Sequence, residues 1–230
     1  DVFEKYFKDF GKDINDYIKL KRLDPSYKVF FDDEVIDIPA DYNSLKDLLD
    51  SMEEGSGDKL DEFLAQAEKK YKVGIENLVY KPGLSLSEFI DKDTISGIFE
   101  LDVFKSMYNH IRKYFKNEKI IKLLEFPVLF LGATPKNTPA LYSLMNYADI
   151  KLGTWYPEGG MYKVVEAMIN LAKEKGVKFY SGEDVRKFSY VNKNISHVIT
   201  SKKTFDVDYV VCSGDYHHFD QNILEEKFRN

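Results

Sequence analysis

From Trp155 to Gly176 the chain reads WYPEGGMYKVVEAMINLAKEKG. Gly159 and Gly160 stand where an extended segment passes into an apolar-periodic one. Lacking a Cβ, such residues admit close backbone approach, to a ligand or to a neighbouring stretch of chain. Met161, Val164, Val165, Met168 and Leu171 recur at helical spacing, so a helix is expected from Gly160 to Lys175, with these five inward and Gly176 as its stop. Beyond it, Val177–Tyr180, Val185–Val191, Ile195–Ile199, Thr204–Val207 and Tyr209–Cys212 read as short strands separated by polar turns such as Asn192-Lys193-Asn194. One helix and a few short strands leave too many open edges to form a complete sheet alone.

Towards the N-terminus the pattern is mostly helical. Val2, Phe3, Tyr6, Phe7 and Phe10 share one helix face, with Gly11 as the stop. A chain that begins inside a helix and without methionine is expected to be cut from something longer. A short helix is expected around Ile14–Ile18. Tyr27–Phe31 and Val35–Ile38 then form a β-hairpin about Asp32-Asp33, ended by Pro39. Three helical stripes follow: Leu45, Leu48, Leu49 and Met52; then Leu60, Phe63, Leu64, Ala67 and Tyr71; then Phe104, Met107, Tyr108, Ile111 and Phe115. Each is as wide as a helix packed on one side requires. Ile120 to Leu131 is apolar all round, which fits deep burial or the lining of a channel for a lipid-like molecule. The fold class is therefore α+β.

Composition narrows the function classes. The hydrophobic fraction is 43% and the charged fraction 31%, a globular composition. A net charge of −6 argues against a nucleic-acid partner, which would want a basic face. The aromatic fraction of 15% suits either a pocket for a long apolar ligand or simply a Phe- and Tyr-rich core. Cys212 is the sole cysteine, so neither a disulfide framework nor a Cys-based metal site is expected, and a reducing, cytoplasmic compartment is the default. The longest apolar run, Phe126 to Ala133, falls far short of the ~20 residues of a spanning helix, so any membrane contact would be peripheral. Phe104 to Phe115 interleaves aromatics with Lys105, Arg112, Lys113 and Lys116; it fits a headgroup surface or a half-buried soluble helix equally.

Motifs for autonomous chemistry are sparse. A dinucleotide fingerprint needs G-x-G-x-x-G between a strand and a helix. Gly55-Ser56-Gly57 lacks the third glycine and follows a helix, and Gly132–Pro139 lacks the Gly-Lys-Ser/Thr ending of a phosphate loop. His217 and His218 are adjacent and so diverge, while His110 and His197 have no carboxylate or Cys partner at ligand spacing. No metal site is expected. Glu88 and Asp91 follow Leu84-Ser85-Leu86-Ser87 and read first as helix-start carboxylates.

Several segments taken in order nevertheless resemble one family, the bacterial phytoene desaturases and related FAD-dependent carotenoid desaturases. They are DYIKLKRLDPSYKVFF from Asp16, FPVLFLGATPKNTPA from Phe126, LYSLMNYADIKLGTWYPEGGM from Leu141, and DYVVCSGDYHHF from Asp208. The resemblance implies a mostly helical, incomplete substrate-binding region at residues 1–152. Residues 153–230 would be an incomplete part of a Rossmann-like FAD-binding domain, whose G-x-G-x-x-G segment would precede Asp1. It implies FAD as cofactor, bound weakly or not at all by residues 1–230 alone, and no activity for this section by itself.

The same resemblance assigns candidate residues. Val185 matches the position whose backbone amide and carbonyl hold the adenine. Ser213 and Gly214 match a strand end that approaches the cofactor. Glu88 matches an acidic position that acts on the polyene, although Asp91 stands where some members carry a basic residue. The implied partners are an apolar polyene and a membrane surface. A polyene saturase or isomerase, a hydroxycarotenoid desaturase and a non-catalytic lipid-binding domain are the alternatives, and the motifs do not separate them.

Overall fold

The computed structural model describes residues 2–79 and 105–229. The chain divides into two compact units, residues 1–167 and residues 168–230.

The first unit is helical with two small antiparallel β-pairs. After α1 (Val2–Asp9), β1 (Leu20–Arg22) pairs with β4 (Trp155–Pro157), Leu20 opposite Pro157 and Arg22 opposite Trp155. Backbone hydrogen bonds from Leu23 to Thr154 and from Glu158 to Lys19 extend this ladder at both ends. The hairpin expected around Asp32-Asp33 is present: β2 (Tyr27–Phe30) lies against β3 (Val35–Ile38), Tyr27 opposite Ile38.

Helices α2 (Tyr42–Met52) and α3 (Ser56–Lys72) follow. The Asp41 carboxylate caps α2 by accepting from the Ser44 amide at 2.8 Å, and that bond holds its carboxyl below the usual range. Leu45 and Leu49 of α2 join Leu60, Phe63, Leu64 and Ala67 of α3 in the core, as their spacing requires. Met107 and Ile111 of α4 (Met107–Ile111) complete this layer with Phe115 and with Ile120, Ile121 and Leu124 of α5 (Glu118–Glu125). The end of α2 is tied to the start of α5: Glu53 accepts from the Lys116 and Asn117 amides at 2.8 and 2.7 Å. Burial pushes the Glu53 carboxyl up, but Lys59 and these two amides outweigh it and leave it lowered.

Two readings of the sequence are narrowed here. Ile120, Ile121, Leu123 and Leu124 are buried, but Phe126–Leu131 forms a tight 3-10 turn that buries Pro127 and Val128 and turns Phe126, Leu129, Phe130 and Leu131 outward. A run without periodicity gives no sign of which residues face in, and the three-residue turn splits them. In the basic-aromatic stretch Met107, Ile111 and Phe115 are fully buried and Arg112 pairs with Glu125, the arrangement of a half-buried helix, while Lys113 and Lys116 are exposed.

A short helix α6 (Leu144–Tyr147) precedes β4, and α7 (Tyr162–Glu174) runs across the division between the units. Of the five side chains expected inward on α7, Leu171 is buried and Val164 partly so, whereas Met161, Val165 and Met168 are exposed. Ala167 is buried instead. The helix carries two apolar stripes, and the one set by Val164, Ala167 and Leu171 faces in.

The second unit contains a three-stranded antiparallel sheet, β5 (Val185–Val191), β6 (Asn194–Thr200) and β7 (Thr204–Asp206), in that order. Asn192 and Lys193 take positive φ in the two-residue β5–β6 turn, the geometry that such a hairpin needs. Val177–Tyr180 and Tyr209–Cys212, expected as strands, join no ladder. A strand exists only with a ladder partner, and β5–β7 pair among themselves.

Candidate functional site

A cleft of about 700 Å³ lies within the second unit, between the start of β5 and the segment that leads into α8 (Tyr216–His218). It falls in the range usual for small-molecule sites. Val185, Ser213 and Gly214, far apart in sequence, all line it.

The position of Val185 follows from its flanks. It pairs with Thr200, and the ladder shifts register before Lys187, so Arg186 is a bulge at the cleft rim. Glu183 accepts from the Thr200 hydroxyl at 2.6 Å, and Ser201 donates its amide to the Asp184 carbonyl at 2.8 Å. These bonds fix the chain just before Val185, which is itself 40% exposed. On the opposite side, Asp215 caps α8 by accepting from the His218 amide at 2.6 Å, which sets the direction of the chain through Ser213 and Gly214.

The cleft floor is apolar. Phe188 is buried and meets Phe219 edge-on at 5.8 Å, with Val198 alongside. A flat heteroaromatic ring suits such a floor, and the bulged backbone at Arg186 offers polar groups at its margin. A Cβ on Gly214 would meet nothing closer than the Cys212 sulfur at 3.9 Å, so space remains beside this segment. Val211, which lines the cleft, and Tyr209, next to Val210 of the lining, are both 93% exposed. The residues present fit the adenine end of a dinucleotide.

The other candidates fall elsewhere. Glu88 and Asp91 lie outside the described residues, as does Phe104. The paired glycines take φ of 85° and 98°, and the closest side-chain neighbours are Lys163 for Gly159 and the Tyr156 hydroxyl for Gly160. Their close approach is to this segment itself. Among the described residues no cluster of His, Cys, Asp and Glu could hold a metal ion.

Folding supplies partners that spacing did not reveal. His197 has a carboxylate neighbour after all: its Nε2 lies 3.0 Å from Asp206 across the β6–β7 ladder. His110 is buried, with Nε2 3.5 Å from the Lys70 ammonium. Lys70 is buried too and donates to the Ala140 carbonyl at 3.2 Å and the Ser143 hydroxyl at 3.3 Å, joining α3 to the segment before α6. Arg186 and Asp215 also line the cleft and were not singled out from the sequence; His218, read there only as diverging from His217, lines it too.

The family model described as flavin containing amine oxidoreductase matches residues 2–229. Among characterised relatives, carotenoid 3,4-desaturase of Haloarcula japonica is 32% identical over 100% of this chain and 47% of its own length. The zeta-carotene-forming phytoene desaturase of Myxococcus xanthus is 28% identical, over 99% of this chain and 44% of its own. A 4,4'-diapophytoene desaturase of Staphylococcus aureus is 30% identical with the same two coverages. The chain thus spans less than half the length of these relatives.

Proposed function

The chain belongs to the flavin-containing amine oxidoreductase family, and from that premise we propose that it is the substrate-binding and part-flavin-binding section of an FAD-dependent carotenoid desaturase. Residues 1–152 would shape the site for an apolar polyene. Residues 153–230 would contribute to a Rossmann-like flavin domain completed by further chain. The observation that carries the reading is the ordered likeness to desaturases along the whole sequence, and the meeting of Val185, Ser213 and Gly214 at one cleft supports it.

In this reading the Val185 backbone holds the adenine, while Ser213 and Gly214 line the way towards the rest of the cofactor. The flavin, when bound, takes the hydrogen and electron pair removed from a saturated carbon–carbon bond. The protein's own task is to orient the polyene and exclude water, with Glu88 as the group that accepts the second hydrogen as a proton. Such a substrate dissolves in bilayers and not in water, so the enzyme collects it at a membrane surface. Among the described residues no helix is long and apolar enough to cross a membrane, which accords with peripheral attachment.

The test is expression of the intact protein in a host that accumulates carotenoid precursors. A pigment with more conjugated double bonds, lost when the protein is omitted, is the expected result. Unchanged pigments despite a flavin-loaded protein would overturn the desaturase reading.

A further inference from the structure

Between Glu125 and the left-handed Gly132 (φ 62°) the chain turns its apolar residues in two directions. Pro127 and Val128 are buried, and the Phe126 ring stacks at 6.2 Å on Tyr27 of β2, so the base of the turn is anchored. Leu129 and Phe130 are 67% and 74% exposed, and Phe126 and Leu131 are also open to solvent. The backbone at Gly132 is open as well, since a Cβ there would meet nothing within 4 Å. Three consecutive exposed apolar residues on a rigid, anchored turn are not an ordinary soluble surface.

Charge identifies the occupant. In a chain with 39 acidic residues, no carboxylate occurs from Phe126 to Ala148. The nearest one before the turn, Glu125, is paired with Arg112. Exposed Lys122 and Lys136 flank the turn on either side in sequence. Apolar side chains at the tip, cations at the shoulders and no open carboxylate between them is the pattern that an anionic lipid surface selects. The core of a protein interface would be depleted of lysine as well as of carboxylates, whereas here only the carboxylates are missing.

We infer that the Phe126–Leu131 turn is the part of this chain that enters the headgroup boundary of a bilayer, an inference that rests on the membrane-surface reading above. Leu129 and Phe130 enter the lipid, while Val128 and the Tyr27–Phe126 contact hold the turn in place. Attachment is then by an anchored wedge and not by the basic helix that contains Met107–Ile111.

The experiment is co-sedimentation of the intact protein with vesicles of phosphatidylcholine and phosphatidylglycerol. Three forms are compared: the unmodified protein, the double variant Leu129→Asp/Phe130→Asp, and the control Phe30→Asp, an equally exposed phenylalanine on the hairpin. The tip variant is expected to lose about tenfold or more in vesicle partitioning while the control stays within about twofold. Equal circular dichroism and thermal midpoints for all three show that the fold is retained. If the unmodified protein does not bind, the membrane reading itself falls and the inference with it. If it binds and the tip variant binds equally well, the reading stands and the wedge is overturned. A tip variant that changes in light-scattering mass but not in vesicle binding would assign the patch to a second copy of the chain, which also overturns the wedge.

Discussion

The Tyr27 hydroxyl donates to the Asp149 carboxylate at 2.9 Å, and the other oxygen of that carboxylate accepts from the Thr154 hydroxyl at 2.9 Å. One side chain thereby joins the hairpin to the segment that leads into β4. Burial, reinforced by the Asp149 charge and hydrogen bond, pushes the Tyr27 hydroxyl above its ordinary pKa. The folded state therefore keeps this proton at a pH where the unfolded chain has begun to lose it. The stabilisation is complete below ~10 and falls as pH rises beyond it. Tyr27→Phe is expected to cost about 1 kcal/mol at neutral pH and to flatten the decline above pH ~10. Asp149→Ala is expected to cost about 1–3 kcal/mol, because it strands two hydroxyls at once. Urea unfolding at neutral and alkaline pH measures both.

Val185 tests whether the cleft works through backbone or side chain. If its amide and carbonyl hold the adenine, Val185→Ile in the intact protein should retain flavin at close to a one-to-one ratio. Val185→Pro removes the amide hydrogen at the first residue of a strand, where proline is structurally tolerated. It should therefore lose flavin without losing the fold. Absorbance ratios of flavin to protein, with circular dichroism as control, decide it. Equal flavin content in the two variants would remove Val185 from the cofactor site.

The helix that begins at the cleft, α8, is three residues long and its N-terminus is already capped by the Asp215 carboxylate, so it does not offer the amides that hold a pyrophosphate. Residues 1–230 by themselves are accordingly expected to bind FAD weakly or not at all and to show no turnover. Fluorescence titration reads this directly. A sub-micromolar dissociation constant for this section would mean that the cleft holds far more of the cofactor than its adenine end.

Glu88 is testable only in the intact protein. Replacing it with glutamine keeps the size and removes the base. Flavin content should be unchanged, and turnover should fall by about a hundredfold if the carboxylate accepts the proton. Unaltered turnover would return Glu88 to the role of a helix-start carboxylate.

Legibility followed the strength of the periodic signal. Leu60, Phe63, Leu64 and Ala67 recur at a single helical period and are buried in the core. The hairpin was legible because Asp32-Asp33 separates two β-rich runs and Pro39 ends the second. On α7 the five expected residues span two stripes: Val164 and Leu171 lie on the inward one with the small Ala167, whereas Met161, Val165 and Met168 lie on the exposed one. At Phe126–Leu131 there was no period to read. Pairings such as His197 with Asp206 arise from strand register, and that is decided only once β6 and β7 lie side by side. The cleft was half legible: its three cofactor candidates came from the likeness to a family, whereas the Phe188–Phe219 floor came from folding alone.

The short β1–β4 ladder has a consequence for how such a chain can diversify. It brings Arg22 beside Trp155, so everything from Leu23 to Thr154 leaves and returns through one narrow gate. An excursion whose two ends are already neighbours can lengthen or shorten with little effect on whatever lies outside the gate, since each doubling of a closed loop costs only about 0.6 kcal/mol in chain entropy. The gate makes the stretch a natural cassette. Exchanging it between relatives at Arg22 and Trp155 should preserve the frame while importing whatever binding preference the excursion carries, so the same two short strands that hold the ends together also mark where evolution, or a designer, can cut.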